Sequence, residues 1–223
     1  MSYNVSLPSY SVGTDVYKLV GSICAGYGHK AVAIGGHKAM AAVKDKLCKA
    51  IIDSDIEISD FIWYGGEASY ENVENLMSLE TVRNADMLFA IGGGKATDTV
   101  KTLADMTGKP VFTFPTIASN CSSCTSVSIM YKNNGIFLKP HFFANPPAHA
   151  FIDTEIIADS PKRYMWAGIG DTYAKHFESS ISSRGEEVPH YIALGVNIAR
   201  MCYEPMLSLI HISEPTRHLR ISY

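Results

Sequence analysis

The sequence lacks a long apolar run, a secretion signal and an excess of basic residues. No uninterrupted apolar stretch is long enough to cross a bilayer, so no membrane association is predicted. The first residues, MSYNVSLPSYSVG, have neither the basic start nor the apolar core of a signal peptide. With a net charge of −3, the chain has no excess of basic residues of the kind that predicts nucleic-acid binding. These absences predict a globular protein that binds neither membranes nor nucleic acid.

The cysteines show no disulfide or zinc framework. There are five, an odd number in a chain without a secretion signal, which predicts a reducing, cytoplasmic environment. Cys121-x-x-Cys124 has no second pair to complete a zinc site and no thioredoxin-like context. We interpret both as pocket or core thiols, with a redox pair as the alternative. The composition, 47% hydrophobic and 18% charged, predicts a real core.

From residue 30 onward, short apolar runs alternate with helical segments. Repeated strand–helix units of this kind predict a parallel sheet covered by helices. Two glycine turns, Gly35-Gly36 and Gly92-Gly93-Gly94, then lie at carboxyl ends of strands, where open α/β sheets bind ligands. The predicted strands are Lys30–Ile34, Glu57–Tyr64, Met87–Ile91 and Val111–Phe114, and the predicted helices are His37–Ile52, Tyr70–Arg83 and a segment from the glycine loop to about Met106.

The pattern changes after the fourth predicted strand. Ser126–Tyr131 and Ile136–Phe142 alternate around Asn133-Asn134-Gly135, which predicts a β-hairpin. Ala150–Asp153 predicts one more strand, and a mostly helical segment begins at Pro161. We therefore predict a nucleotide-binding α/β domain at residues 1–160, followed by the start of a helical domain at residues 161–206.

The stretch MLFAIGGGKATDTVK, residues 87–101, is the most informative motif. An apolar run ends in three glycines and a helical segment follows at once, which is how proteins build a phosphate cradle. Lys95 adds a positive charge there. A Walker A loop fits poorly, since Phe89 stands at its first glycine and Ala96 at its Ser/Thr position. A G-x-G-x-x-G fingerprint would end on Thr97, and a glycine turn without a ligand is the remaining alternative.

Two further elements follow the glycine loop. Thr116-Ile117-Ala118-Ser119 comes straight after a predicted strand, where small hydroxyl side chains can bind a diphosphate or ribose; a generic loop is the alternative. Gly168-Ile169-Gly170-Asp171 supplies a carboxylate that suits zinc or ferrous iron, whereas Asp is also a favoured helix N-cap.

Together and in this order, the three elements resemble the glycerol dehydrogenase-like, iron-containing alcohol dehydrogenase family, from about Val5 to Met206. The resemblance implies a dehydroquinate synthase-like fold, with a Rossmann-like parallel sheet domain, an added β-hairpin and an all-helical domain that this chain only begins. It also implies an NAD(P)-dependent oxidoreductase of alcohols or polyols that works as a homo-oligomer. There a divalent metal, zinc or iron, acts as a Lewis acid while hydride passes to the nicotinamide.

Family roles carry over residue by residue to the matching positions. The cofactor site implied by the resemblance has a pyrophosphate and ribose part, a nicotinamide part and an adenosine part. The pyrophosphate and ribose part consists of Gly93, Gly94, Lys95, Asp98, Thr116 and Ser119. The nicotinamide part consists of Thr125, Val127 and Tyr131, and the adenosine part is His37. For Val127 and Tyr131 the alternative is one face of the hairpin. The metal ligand implied is Asp171, and no catalytic residue is assigned.

Three departures from the family pattern leave questions open. Cys121 stands where glycerol dehydrogenases place a substrate-contacting aspartate, so glycerol specificity is in doubt. Gly35-Gly36-His37-Lys38 replaces an acidic residue that binds the adenosine ribose in NAD-dependent members, so NAD and NADP both stay open. The two histidines that complete the family's metal site do not follow Asp171, so we expect this chain alone to be inactive.

The last residues have a different origin in our interpretation. Leu207–Arg217, LSLIHISEPTR, matches a translated transposase adapter from sequencing libraries. We hypothesise that residues 207–223 are adapter-encoded, and a genomic clone that reads this stretch through native flanking sequence would refute the idea. Two functions compete with the dehydrogenase: a dehydroquinate synthase-like lyase and a nucleotide-binding module without activity.

Overall fold

A computed structural model describes residues 5–185, 187–203 and 205–206. These residues form two compact units that divide between Tyr164 and Met165. The sequence-based domain boundary near Ser160 lies shortly before this division. The hypothesis of an adapter-encoded tail concerns residues 207–223, which lie outside the described residues.

The first unit is built on a six-stranded, fully parallel sheet in the order β1-β8-β5-β4-β2-β3, with β6 and β7 pairing separately as an antiparallel hairpin. This confirms the predicted α/β fold with an added hairpin. The strands are β1 (Tyr10–Gly13), β2 (Lys30–Gly35), β3 (Glu57–Trp63), β4 (Met87–Gly92), β5 (Val111–Pro115), β6 (Val127–Tyr131), β7 (Phe137–Phe142) and β8 (His149–Asp153).

The helices of the described residues include the predicted segments with one correction, together with two short helices, Val20–Cys24 and Thr154–Ala158, that were not predicted. The helices are α1 (Val20–Cys24), α2 (His37–Ala50), α3 (Tyr70–Ser78), α4 (Glu80–Arg83), α5 (Gly94–Thr107), α6 (Thr154–Ala158), α7 (Lys162–Ser182) and α8 (His190–Met201). The single predicted helix Tyr70–Arg83 was wrong, because Leu79 adopts extended backbone angles (φ −73°, ψ 132°) between α3 and α4.

The central strands are buried on both faces, which explains why β4 is apolar at every position. One face packs with α1 and α2 around Phe89, Phe112 and Phe114. The other face packs with α3 and α5 around Leu88 and Leu103. Two separate apolar layers therefore hold the sheet between helices.

Strand β1 was not predicted from the sequence. It is four residues long, lies at the edge of the sheet and pairs with β8 alone. The connection is fixed by a buried side chain of β8: His149 Nδ1 lies 2.8 Å from Ser9 Oγ, and its Nε2 lies 3.0 Å from Ser11 Oγ. A short edge strand that depends on contacts with a distant histidine leaves no local sequence signal.

The two glycine turns meet where the strand order reverses. The chain passes from β2 outward to β3 and then returns to place β4 on the other side of β2. In open α/β sheets this switch point forms a crevice at the carboxyl ends of the strands, and ligands bind there. Gly36 directly follows β2 and Gly93 directly follows β4, so the fold brings both turns to this crevice.

The second unit contains most of α7, together with α8. Tyr203 contacts Tyr173 and His176, with ring centroids 5.4 and 4.8 Å apart. Asp171 lies inside α7, so its alternative reading as a helix N-cap is wrong. Within the described residues, no helix combines the length and apolar character needed to span a bilayer.

Candidate functional site

The glycine loop presents free backbone donors at the start of α5. Gly92 has a φ of +142°, a conformation that residues with a side chain rarely adopt. Gly93 is the N-cap, and no side chain caps the helix. The first helical N–H groups, including those of Gly94 and Lys95, have no partner within the helix itself. Together with the positive end of the helix dipole, this arrangement suits an anion.

Lys95 lies beside this loop, but its ammonium group is engaged. Its Nζ is 2.7 Å from Oε2 of Glu67, whose side chain is mostly buried. This hydrogen bond raises the pKa of Lys95. Sequence reasoning predicted the positive charge and missed its carboxylate partner, which lies 28 residues earlier in the chain.

Asp98 faces the hairpin rather than the open crevice. Its Oδ2 accepts a hydrogen bond from the Ile129 N–H at 3.1 Å, and its Oδ1 lies 3.1 Å from Lys101 Nζ. Burial raises the pKa of Asp98. The carboxylate thus ties α5 to β6, and its predicted contact with the cofactor stays a prediction.

Lys101 is a buried ammonium that sequence reasoning did not single out. Its side chain is 1% exposed, and burial lowers its pKa. Nζ donates to the carbonyl oxygens of Ser122, Thr125 and Val127 at 2.8, 3.3 and 2.5 Å. Lys101 therefore anchors the whole segment between β5 and β6. The sequence feature that could have revealed Lys101 is its position three residues after Asp98, which places both side chains on the same buried face of the helix.

The segment after β5 lies next to the glycine loop. The Thr116 N–H donates to the Gly92 carbonyl at 3.3 Å, and Thr116 is buried. Ser119 is half-buried. Cys121 is exposed and Cys124 is half-buried, and neither forms a disulfide within the described residues. The structure thus places Thr116 against the glycine loop.

The residues assigned to the nicotinamide pocket lie at the start of the hairpin and along β6. Thr125, Val127 and Tyr131 are all half-buried. Thr125 Oγ1 lies 3.2 Å from Lys101 Nζ, which holds the first of them in place. Residues 127 and 131 alternate with buried Ser128 and Met130, so both share the less buried face of β6.

One cavity of about 780 Å³ connects the two glycine turns. Gly93 and Thr116 line it, as do Gly36 and His37. The His37 ring is stacked on Trp63, with centroids 5.5 Å apart and planes at 12°. This volume lies within the range of small-molecule and cofactor sites. The cavity therefore extends from the glycine loop to a flat aromatic wall.

The metal half of the family site is not assembled in the described part of the chain. Among those residues, no three His, Cys, Asp or Glu side chains are grouped so as to hold a metal ion. Asp171 is one-third exposed, and its Oδ1 lies 3.8 Å from Lys175 Nζ. Its assignment as a metal ligand stays a prediction.

Comparisons of the sequence with known proteins agree on one family. The family model for iron-containing alcohol dehydrogenase matches residues 8–154. A glycerol dehydrogenase of Thermotoga maritima is 39% identical over 149 residues, covering 65% of this chain and 40% of the relative. A glycerol dehydrogenase of Escherichia coli O6:H1 is 30% identical over 204 residues, covering 89% of this chain and 55% of the relative.

The fold is shared with solved structures of the same kind. The crystal structure of a probable glycerol dehydrogenase from Sinorhizobium meliloti 1021 superimposes with a TM-score of 0.80 at 25% identity, covering 96% of this chain and 59% of that one. The chain spans about half the length of the curated relatives it matches.

Proposed function

The chain belongs to the iron-containing alcohol dehydrogenase family, and on that premise we propose that it supplies the NAD(P)-binding half of a metal-dependent alcohol or polyol oxidoreductase. When bound, the nicotinamide accepts or returns hydride at the alcohol carbon. The residues of this chain bind the cofactor and orient it. The matched family and relatives favour this function over a dehydroquinate synthase-like lyase.

The observation that carries the proposal is the cavity between the glycine turns. It reaches from Gly93 and Thr116, beside the uncapped start of α5, to the stacked pair His37–Trp63. A dinucleotide has the matching parts: a pyrophosphate for the helix start and an adenine ring for the aromatic wall. A glycine turn without a ligand needs neither a cavity nor an aromatic wall.

Several finer statements belong to the proposal. The substrate is a small alcohol or polyol, and Cys121, in place of a carboxylate, argues against strict selection of glycerol. The full protein is a cytoplasmic homo-oligomer whose nucleotide-binding domain is residues 1–160. Residues 161–206 begin a helical domain, where Asp171 contributes to a zinc or iron site.

The phosphate cradle is tested by Gly94→Glu. The new carboxylate stands at the helix start and repels a diphosphate, so affinity for NAD+ or NADP+ should fall by about tenfold or more. Folding should be preserved, because acidic residues are favoured in the first helical turn. An added Cβ meets only the end of the Asn120 side chain, 2.7 Å from Nδ2. Isothermal titration calorimetry measures the affinity, and circular dichroism checks the fold.

Gly94→Gln is the matched control, since it adds the same volume without charge. It should retain most of the affinity that Gly94→Glu loses. Equal affinities for the two variants would mean that no anion binds at this helix start. Absence of any dinucleotide binding by the folded, unmodified chain would refute the proposed function.

A further inference from the structure

The residue after β2 lies on the cavity wall, next to the His37–Trp63 pair. In dinucleotide sites, an acidic side chain beside the adenosine ribose selects a free 2′-hydroxyl, whereas a basic side chain accommodates a 2′-phosphate. Here the wall at this point carries Gly36, which has no side chain of either kind. A dinucleotide with its pyrophosphate at the glycine loop and its adenine at the His37–Trp63 pair would have its adenosine ribose between the two, next to α2.

The charged groups on the cavity wall favour an added phosphate. Lys38 and Arg163 are cationic, and Asp159 is the single carboxylate that lines it. Across the described ranges, Lys38 has no ion pair or hydrogen bond from its ammonium group. The Arg163 guanidinium lies 4.9 Å from the centre of the Tyr164 ring and donates to its hydroxyl at 3.2 Å. The cations therefore outnumber the carboxylate, and neither is neutralised by it.

Resting on the proposed function, we propose that this cavity binds NADP(H) in preference to NAD(H), with Lys38 and Arg163 holding the 2′-phosphate. A phosphate monoester carries nearly two negative charges and three acceptor oxygens, which suit an ammonium and a guanidinium together. Gly36 adds no carboxylate that would repel it. NAD(H) has only a neutral 2′-hydroxyl group at the position where NADP(H) would place a charged phosphate beside these two cations.

Gly36 allows the selectivity to be reversed without damaging the fold. Its backbone (φ −80°, ψ 145°) is one that any residue adopts, and it is the N-cap of α2. An added Cβ would meet only Tyr64 Cε1, at 3.8 Å. Asp and Asn are both favoured N-caps. Gly36→Asp therefore adds a carboxylate beside the ribose, and Gly36→Asn adds the same volume without charge.

The experiment titrates NAD+ and NADP+ into the unmodified chain and four variants by calorimetry. We expect the unmodified chain to bind NADP+ about tenfold more tightly than NAD+, the equivalent of one good charge-assisted contact. Lys38→Met should weaken NADP+ binding and leave NAD+ binding nearly unchanged. Gly36→Asp should make NAD+ the preferred cofactor, while Gly36→Asn keeps the original preference. Lys49→Met, at an exposed position near the other end of α2, should change neither affinity.

Three results would overturn the inference. Equal or tighter binding of NAD+ by the unmodified chain would do so while leaving the proposed function intact. An equal loss of affinity for NAD+ and NADP+ in Lys38→Met would show that Lys38 does not bind the 2′-phosphate. Failure of the folded chain to bind either dinucleotide would overturn the proposed function and this inference together.

Discussion

Replacing Lys101 by Met is expected to lower the free energy of unfolding by about 3–5 kcal/mol, the usual cost of breaking a buried ion pair by removing one partner. The ammonium serves three carbonyl groups, of Ser122, Thr125 and Val127, and lies 3.1 Å from Asp98 Oδ1. The Met side chain fills most of the volume of the Lys101 side chain but donates no hydrogen bond. Buried acceptors and a buried carboxylate are then left unpaired, which is where the cost arises.

Urea unfolding followed by circular dichroism measures the change. Lys132→Met is the matched control, because Lys132 is an exposed lysine at the hairpin turn, and it should unfold near the midpoint of the unmodified chain. If Lys101→Met unfolds at the same midpoint as the control, the buried network does not hold the segment between β5 and β6. Cofactor affinity should fall along with stability, since this segment includes Thr125 and leads directly into Val127, and both residues are proposed to line the nicotinamide pocket.

Gly35→Ala should cost about 3 kcal/mol, the upper part of the usual range for overpacking. A Cβ at this position would overlap the carbonyl oxygen of Ile91 and lie 3.1 Å from its carbonyl carbon. Both atoms belong to the backbone of β4, the neighbouring strand of β2. Because no side chain can rotate away, the two strands must separate at the edge that carries the site.

The next residue provides the control for this prediction. Gly36→Ser places its Cβ in ordinary contact distance of Tyr64 alone, and Ser is a favoured N-cap for α2, so this variant should unfold with a free energy no more than about 0.5 kcal/mol below that of the unmodified chain. Thermal unfolding of the two variants side by side measures the difference. Equal melting temperatures would show that β2 and β4 do not approach as closely as described.

Much of the first unit was predictable because its signals are local. The run MLFAI followed by glycines predicts a buried strand and a turn, and β4 and α5 confirm it. Asn133-Asn134-Gly135 predicts the hairpin, where Gly135 has a φ of +80°. The break at Leu79 was not predictable, since the apolar pattern continues through it. Strand β1 depends on pairing with a strand that lies 140 residues later in the chain, since Tyr10 pairs with Ala150.

The candidate site was predictable in its backbone but not in its electrostatics. Glycine spacing predicted the turn between β4 and α5, because glycine has a direct effect on backbone conformation, whereas anion binding at this turn stays a prediction. The partners of the charged side chains come from other elements: Glu67 for Lys95, and the carbonyls after β5 for Lys101. Such contacts depend on tertiary packing, which a pattern along the chain does not encode. Trp63 beside His37 was missed for the same reason.

The most direct measurement is a titration of the isotope-labelled chain with NADP+, followed by amide chemical shifts in NMR. If the crevice between β2 and β4 is the cofactor site, the largest shifts will occur at the amides of Gly93, Gly94 and Lys95, with a second group at His37 and Lys38. The shifts should saturate at one cofactor per chain. Unchanged amides at the start of α5, or saturable shifts confined to another surface, would contradict the account.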